Sequence, residues 1–159
     1  YMLGDEGSAL LIAYEAIKRS LKSIEHRDLP SKLLPKFLDF FALQQAADFI
    51  PIVHRAFDKA SIAKAATLVF EAQKKNDALA CDIIEQASKE LALLVQSVVL
   101  QAKLPNGKLI LGGGVFENNS EFLELCSAEI ANIKNAPTII PLQQKAEFGA
   151  LMLAKEQIK

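Results

Sequence analysis

One stretch of the sequence decides the fold: Lys108-Leu109-Ile110-Leu111-Gly112-Gly113-Gly114-Val115-Phe116-Glu117-Asn118-Asn119. It begins with apolar residues typical of a strand, passes through three glycines and reaches Asn118 and Asn119, which are typical helix N-cap residues. Glycine accepts positive φ angles and has no Cβ, so a ligand can approach this main chain closely. The N-terminus of a following helix would favour an anionic group. The pattern therefore indicates either a nucleotide site or a tight turn without a ligand.

The stretch does not match the two most familiar phosphate-binding patterns. The sequence has no G-x-x-x-x-G-K-[ST], and the spacing G-x-G-x-x-G is not completed after the third glycine. The choice between a nucleotide site and a plain turn must therefore come from the rest of the chain.

Length and composition predict one domain over residues 1–159. The chain is 51% hydrophobic, which suits a single packed core. A net charge of -1 gives no electrostatic reason to expect nucleic acid or an anionic membrane as a partner. The apolar runs are too short to span a bilayer, and the first residues do not resemble a signal peptide. These features predict a cytoplasmic protein.

The two cysteines and two histidines do not suggest a metal site. Cys81 and Cys126 lie far apart in helical patterns, which predicts buried thiols in a reducing compartment. His26 and His54 have no ligand spacing with them, so no zinc site is expected.

A second glycine-framed segment, Gly4-Asp5-Glu6-Gly7-Ser8, precedes a helical pattern that starts at Ala9. In one interpretation, Asp5 and Glu6 only complement the helix dipole, and the segment caps the helix. In the other, the glycines hold a carboxylate at a cleft, where it accepts hydrogen bonds from ligand hydroxyls. The two flanking glycines favour the second interpretation, because capping alone needs only one small polar residue.

Hydrophobic periodicity predicts a helix-rich α/β chain that ends in a βαβα unit. Two short strands are expected, over residues 108–111 and 137–141, parallel to each other because a helix crosses between them. The phenylalanines of residues 37–57 indicate either core or a hydrophobic lid, and general packing favours the core. The first predicted helix starts at Ala9, a short one includes residues 37–41, and a third covers 43–57 with a kink or a start near Phe49. Further helices are predicted after Ser61 as N-cap and after Asp77, the latter being the longest. The last two cover residues 120–134 and begin near Gln144.

Two strands alone do not make a stable sheet. We therefore expect further strands, either upstream of Tyr1 or from a partner chain. This expectation, and the abrupt start on a dense motif, suggest that the chain is a fragment of a longer protein.

Taken together, the motifs resemble those of the N-acetylglucosamine kinases and the wider BadF/BadG/BcrA/BcrD-type ATPase family. The resemblance runs over about residues 2 to 155. It rests on the segments Gly4-Asp5-Glu6-Gly7-Ser8, Ile62-Ala63, Asn76-Asp77 with Ala80, Leu111-Gly112-Gly113-Gly114-Val115-Phe116 with Asn118, and Pro141 followed by Gly149-Ala150 and Leu153-Ala154.

The resemblance implies the C-terminal, ribonuclease-H-like half of an actin-like, sugar-kinase fold. The family's phosphate loop and catalytic aspartate would then lie upstream of Tyr1, and this chain alone would be inactive. ATP and Mg²⁺ are the implied cofactors, and a homodimer or pairing with the N-terminal half is the implied assembly. Asp5 and Glu6 would contact the sugar, whereas Gly112, Gly113, Gly114, Val115 and Asn118 would contact the nucleotide.

Three functions follow from this resemblance. The first is transfer of phosphate from ATP to an amino sugar such as N-acetylglucosamine, with a 6-phosphate product. The second is an ATPase module that activates a CoA-ester reductase or dehydratase, in which iron–sulfur cysteines are expected at a dimer interface. The third is a sugar-binding regulator without turnover.

Overall fold

The computed structural model describes residues 4–54, 58–102, 107–144 and 146–157. Helices dominate, and a small parallel sheet lies near the C-terminal end. The elements are α1 (Ala9–Ile24), α2 (Leu33–Phe40), a 3₁₀ turn (Ala46–Asp48), α3 (Phe49–His54), α4 (Lys59–Lys64), α5 (Ala66–Gln73), α6 (Ala78–Ala102), β1 (Lys108–Ile110), α7 (Gly114–Asn118), α8 (Ser120–Ala131), β2 (Thr138–Ile140) and α9 (Ala146–Gln157).

Helix α1 begins where the sequence predicts. Ser8 is its N-cap, and the Ser8 hydroxyl accepts a hydrogen bond from the Leu11 N–H at 3.2 Å. The buried face of α1, which includes Ile12, Ala13 and Ile17, packs against α4 and α6. The segment before α1 is therefore fixed to one side of the helical core.

Arg19 ties α1 to two other parts of the chain. Its Nε and Nη2 groups donate to the two carboxylate oxygens of Asp28 at 3.0 and 2.7 Å, and its Nη1 group donates to Asp82 on α6 at 2.5 Å. The hydrogen bonds to Asp28 are the main cause that raises the pKa of Arg19 above its ordinary value. In turn, Arg19 lowers the pKa of Asp28 to about 2.

Helix α6 is the longest of the described helices, as predicted, but only its first half is core. Leu79, Ile83 and Ile84 are buried between α1, α5 and α8. Beyond Ala92 the apolar positions face outward, and Val98 and Leu100 are 61% and 67% exposed. The second half of α6 therefore presents an apolar surface.

The parallel pairing of the two strands is confirmed. Lys108 pairs with Thr138, Leu109 with Ile139, and Ile110 with Ile140. Helices α7 and α8 form the crossover between them. In the described part of the chain the sheet contains these two strands and no others.

One predicted helix start is wrong, and one of two alternatives for another helix is confirmed. Asp58, not Ser61, caps α4: its carboxylate accepts from the Ala60 N–H and from the Ser61 hydroxyl. Within residues 43–54 the alternative of a helix start near Phe49 is confirmed: α3 starts at Phe49 with Pro51 in its first turn, after a 3₁₀ turn. The residues 55–57 and the turn predicted around 104–106 lie outside the described residues.

The aromatic side chains divide between the core and its margin. Phe37 and Phe49 are buried, as predicted, whereas Phe40 is 42% exposed. Phe122 is fully buried, with its ring centroid 5.6 Å from that of Phe70 and 5.6 Å from that of Phe116. This aromatic group joins the βαβ unit to the helical core.

The substitution Asp28→Asn tests the Arg19 network. Because the folded-state pKa of Asp28 is depressed, its stabilisation is present above about pH 4 and is lost as the pH falls towards about 2. We expect Asp28→Asn to lower the free energy of unfolding by about 1–3 kcal/mol at pH 7, as for hydrogen bonds to charged groups. The difference from wild type should shrink on acidification, as measured by urea unfolding.

Glu25→Gln is the matched control, because Glu25 pairs with Arg27 and both side chains are more than half exposed. Its effect should be within about 1 kcal/mol. A loss at pH 7 as large as that of Asp28→Asn would contradict the assignment.

Candidate functional site

The glycine loop leads from the sheet directly into a helix. Strand β1 ends at Ile110, and Gly113, with φ of 105°, is the N-cap of α7. A Cβ placed on Gly113 would meet no atom within 4 Å, so the space beside this residue is open. A Cβ on Gly112 would lie 3.3 Å from the Leu142 side chain, so Gly112 allows close packing inside the protein. Gly113 is thus the glycine that faces free space.

Asn119 is the N-cap of α8, as the sequence predicts, but neither asparagine side chain caps that helix. The Asn118 and Asn119 amides donate to the carbonyls of Gly114 and Val115, at 2.6 and 2.8 Å. These bonds close the five-residue helix α7, and α8 begins afterwards without a side-chain cap. Because α7 is so short, the helix-dipole argument for an anion at this loop loses most of its force.

A cavity of about 400 Å³ opens at the carboxyl ends of the two strands. Ligands commonly bind at this edge of parallel sheets. Its walls are mainly apolar, and the Ser127 hydroxyl is already used on the Leu123 carbonyl. Glu117 is the one charged residue among the residues that line it: Leu111, Phe116, Glu117, Leu123, Ser127 and 139–142. The cavity suits a flat apolar group with a hydrogen-bond donor at its edge.

At the other predicted site, Ser8 rather than Asp5 or Glu6 caps α1. The Ser8 hydroxyl also donates to Asp5 Oδ2 at 2.9 Å, and the Ser8 N–H donates to the Asp5 carbonyl at 3.1 Å. These bonds orient the Asp5 side chain, while its Oδ1 oxygen has no hydrogen-bond partner among the described residues. Asp5 is therefore positioned and retains acceptor capacity.

Glu6 lies differently from its neighbour Asp5. Its Oε2 oxygen is buried and lacks a hydrogen-bond partner within the described parts of the chain. Glu6 lines a second cavity, of about 240 Å³, between α1 and α6. Sequence periodicity missed two other polar residues of this cavity, Gln86 and Glu90, although their four-residue spacing on α6 places them on one helix face.

Gly7 seats the acidic loop on α6. It has φ of 77°, and a Cβ at this position would overlap the side chain of Leu91. The two predicted sites adjoin different cavities. Their cavities share no lining residue, so the structure does not bring Asp5 and Glu6 into one pocket with the glycine loop.

The structure is a helix-rich α/β fold with a small parallel sheet, and the comparison with known sequences identifies the family. Residues 1–154 match the BadF/BadG/BcrA/BcrD ATPase family, so the chain belongs to that family. The chain is also 32% identical, over 164 aligned positions, to a protein of Clostridium acetobutylicum named N-acetylmuramic acid/N-acetylglucosamine kinase. The alignment covers 99% of this chain and 52% of that relative, so the chain spans about half the relative's length.

Within residues 4–54, 58–102, 107–144 and 146–157, no group of three or more His, Cys, Asp or Glu side chains could hold a metal ion. Across the same ranges, no helix is long and apolar enough to cross a membrane.

The substitution Gly7→Ala tests how the acidic loop is seated. Gly4→Ala is the matched control, because Gly4 has a similar φ of 75° but open space around its Cβ position. Both changes strain the backbone, and only Gly7→Ala also forces Leu91 to move. We expect Gly7→Ala to destabilise the protein by about 1–3 kcal/mol more than Gly4→Ala in urea unfolding.

The added substitution Leu91→Ala should recover part of that difference in a double-mutant cycle. Equal effects of Gly7→Ala and Gly4→Ala would show that the loop is not held by contact with α6.

Proposed function

We propose that this chain is the C-terminal, nucleotide- and sugar-binding half of an ATP-dependent amino-sugar kinase. The proposed acceptor is N-acetylglucosamine, and the proposed product is its 6-phosphate. The single observation that carries the proposal is an apolar cavity at the carboxyl ends of the parallel strands, lined by residues that flank the open glycine Gly113 in sequence, Leu111 and Phe116. The five predicted nucleotide residues are not themselves among the residues that line it. Membership of an ATPase family and similarity to a sugar kinase support it.

The nucleotide is proposed to bind with its nucleoside end at the glycine loop. The apolar walls of the 400 Å³ cavity suit the base, and the carboxylate of Glu117 could accept from an exocyclic amine. Gly113 and Gly114 would let the ribose approach the backbone, with Gly112, Val115 and Asn118 shaping the turn. When bound, Mg²⁺ would neutralise charge on the ATP phosphates, and its protein ligands are proposed to lie upstream of Tyr1.

The sugar is proposed to bind at the acidic loop, with Asp5 as the principal ligand and Glu6 as the second. The hydrogen bond from Ser8 orients Asp5 and leaves one carboxylate oxygen free to accept from a hydroxyl. Neither residue is proposed to take the proton, because the expected catalytic base lies upstream of Tyr1. This division agrees with a fold in which two halves close on the substrates.

The apolar surface around the sheet supports the proposal that another half completes this domain. Ile110 on β1 is 50% exposed, and the second half of α6 exposes Leu93, Leu94, Val98 and Leu100. Two strands make a weak sheet, and exposed apolar patches promote association. A ribonuclease-H-like arrangement, with more strands beside β1 and β2, would cover this surface.

The chemistry of the cysteines disfavours the alternative role as an electron-transfer activator. Cys126 is fully buried, and burial raises its pKa to about 12, so its thiol resists the deprotonation that metal ligation requires. Cys81 is half-buried, and its thiol lies 3.8 Å from the Gln73 carbonyl. Neither thiol suits an interface cluster.

A reciprocal pair of substitutions in the complete protein tests the two proposed binding sites. Gly113→Val places a branched side chain in the nucleotide's space, so ATP affinity should fall at least about tenfold while sugar affinity is kept. Asp5→Asn replaces the charged carboxylate, which accepts hydrogen bonds, with a neutral amide. Sugar affinity should therefore fall about tenfold or more while ATP affinity is kept. Isothermal titration with N-acetylglucosamine and with a non-hydrolysable ATP analogue measures both.

Circular dichroism of each variant checks that it folds. Unchanged ATP affinity in Gly113→Val would refute the nucleotide assignment. If Asp5→Asn lowers stability but leaves sugar affinity unchanged, the acidic loop serves only to cap helix α1.

A further test concerns the 159-residue chain by itself. We expect it to associate, with itself or with its other half, and not to phosphorylate amino sugars, because the γ-phosphate and sugar hydroxyl must be aligned by both halves. Light scattering and a coupled kinase assay measure the two properties. A monomer that phosphorylates N-acetylglucosamine would contradict the proposed division of the site.

A further inference from the structure

Ser8 uses every hydrogen-bonding group that it has. Its N–H donates to the Asp5 carbonyl at 3.1 Å, and its own carbonyl accepts from the Ile12 N–H at 2.9 Å. Its hydroxyl accepts from the Leu11 N–H at 3.2 Å and donates to Asp5 Oδ2 at 2.9 Å. Ser8 is therefore bonded twice to Asp5 and twice to the first turn of α1.

The packed core holds this end of α1 in place. Ile12 is 2% exposed and Ala13 is fully buried, and α1 packs against α4 and α6. On the other side of Ser8, Gly7 lies against the side chain of Leu91 on α6. Because close-packed elements leave little free movement, the Ser8 hydroxyl keeps a fixed position relative to α6.

The Asp5 carboxylate depends on Ser8 for its orientation. Among the residues that the structure describes, the Ser8 hydroxyl is the one hydrogen-bond donor to this carboxylate. Asp5 lies in a loop in which Gly4 and Gly7 have φ of 75° and 77°. A carboxylate that is oriented before its ligand arrives loses less conformational entropy when the ligand binds.

Capping of α1 does not explain the bond from Ser8 to Asp5. An N-cap residue needs only an acceptor for an N–H group of the first turn, and Gly at this position costs little helix stability. The bond to Asp5 Oδ2 needs a donor, which the Ser8 hydroxyl supplies. The two roles of the hydroxyl can therefore be separated by substitution.

We propose that Ser8 is a positioning residue for the sugar: its hydroxyl holds the Asp5 carboxylate against the packed end of α1, and Oδ1 is left to accept from a sugar hydroxyl. Ser8 itself does not touch the sugar. The inference rests on the proposed function, because it takes Asp5 as the sugar ligand. It adds that sugar affinity depends on the residue type at position 8 separately from the stability of the fold.

Ser8→Gly and Ser8→Thr in the complete protein separate positioning from capping. Ser8→Gly removes the donor but keeps most of the stability of the cap, so affinity for N-acetylglucosamine should fall about tenfold, as for a lost hydrogen bond to a charged group. Ser8→Thr keeps a hydroxyl that accepts and donates, so sugar affinity should stay within about threefold of wild type. Isothermal titration measures the affinities for the sugar and for a non-hydrolysable ATP analogue, and the ATP affinity should be unchanged in both variants.

Asp58→Ala is the control for lost stability. Asp58 caps α4 by accepting from the Ala60 N–H at 3.0 Å, and it has no bond to the acidic loop within the described residues. Asp58→Ala should destabilise the protein in urea unfolding at least as much as Ser8→Gly, because Ala is the poorer cap. Its affinity for N-acetylglucosamine should equal that of wild type.

The inference is overturned if Ser8→Gly keeps sugar affinity while Asp5→Asn loses it. It is also overturned if Asp58→Ala weakens sugar binding as much as Ser8→Gly, or if Ser8→Thr folds by circular dichroism and still loses sugar affinity. If Asp5→Asn itself leaves sugar affinity unchanged, the proposed sugar site is wrong and the inference fails with it. The titration of Asp5→Asn therefore distinguishes the two failures.

Discussion

The contact between α1 and α6 is the constraint on which the rest of the structure depends. At one end of this helix pair, Arg19 on α1 bonds to Asp82 on α6 and to Asp28. At the other end, the absence of a side chain on Gly7 lets the acidic loop contact Leu91. Between these two fixed points the apolar faces of both helices are buried. The position of Asp5 and Glu6 is therefore set by the core rather than by the loop itself.

The same core also supports the glycine loop. Helix α8 packs on α6, and the aromatic rings of Phe70, Phe116 and Phe122 join the βαβ unit to the helices. Two loops with little regular structure thus project from one rigid body. Binding residues are often arranged in this way, because a rigid scaffold limits the entropy lost when a ligand is held.

Local patterns predicted the parts of this fold that depend on local chemistry. The start of α1 after Ser8, the long helix after Asp77 and the parallel strands all follow from capping residues, apolar periodicity and the crossover rule. The wrong helix start arose where two residues of the same capping type compete. Asp58 caps α4 while Ser61 only bonds to it. The side chains of Asn118 and Asn119 bond back to α7, so α8 begins at Asn119 without a side-chain cap.

The features that depend on distant contacts were beyond the sequence patterns. Periodicity gives no sign that Arg19 reaches Asp82, because 63 positions separate them. For the same reason, the two glycine-framed motifs suggested the chemistry of a site but did not predict that Glu6 lines one cavity while Leu111 and Glu117 line another.

The central claim is that the cavity at the strand ends receives the base of ATP. Photolabelling of the complete protein with 8-azido-ATP, followed by peptide mapping, tests it most directly. The account predicts that the label lies on the segments 111–117 or 139–142, which line that cavity, and that excess ATP prevents labelling. Labelling that ATP prevents but that maps elsewhere in the protein would contradict it.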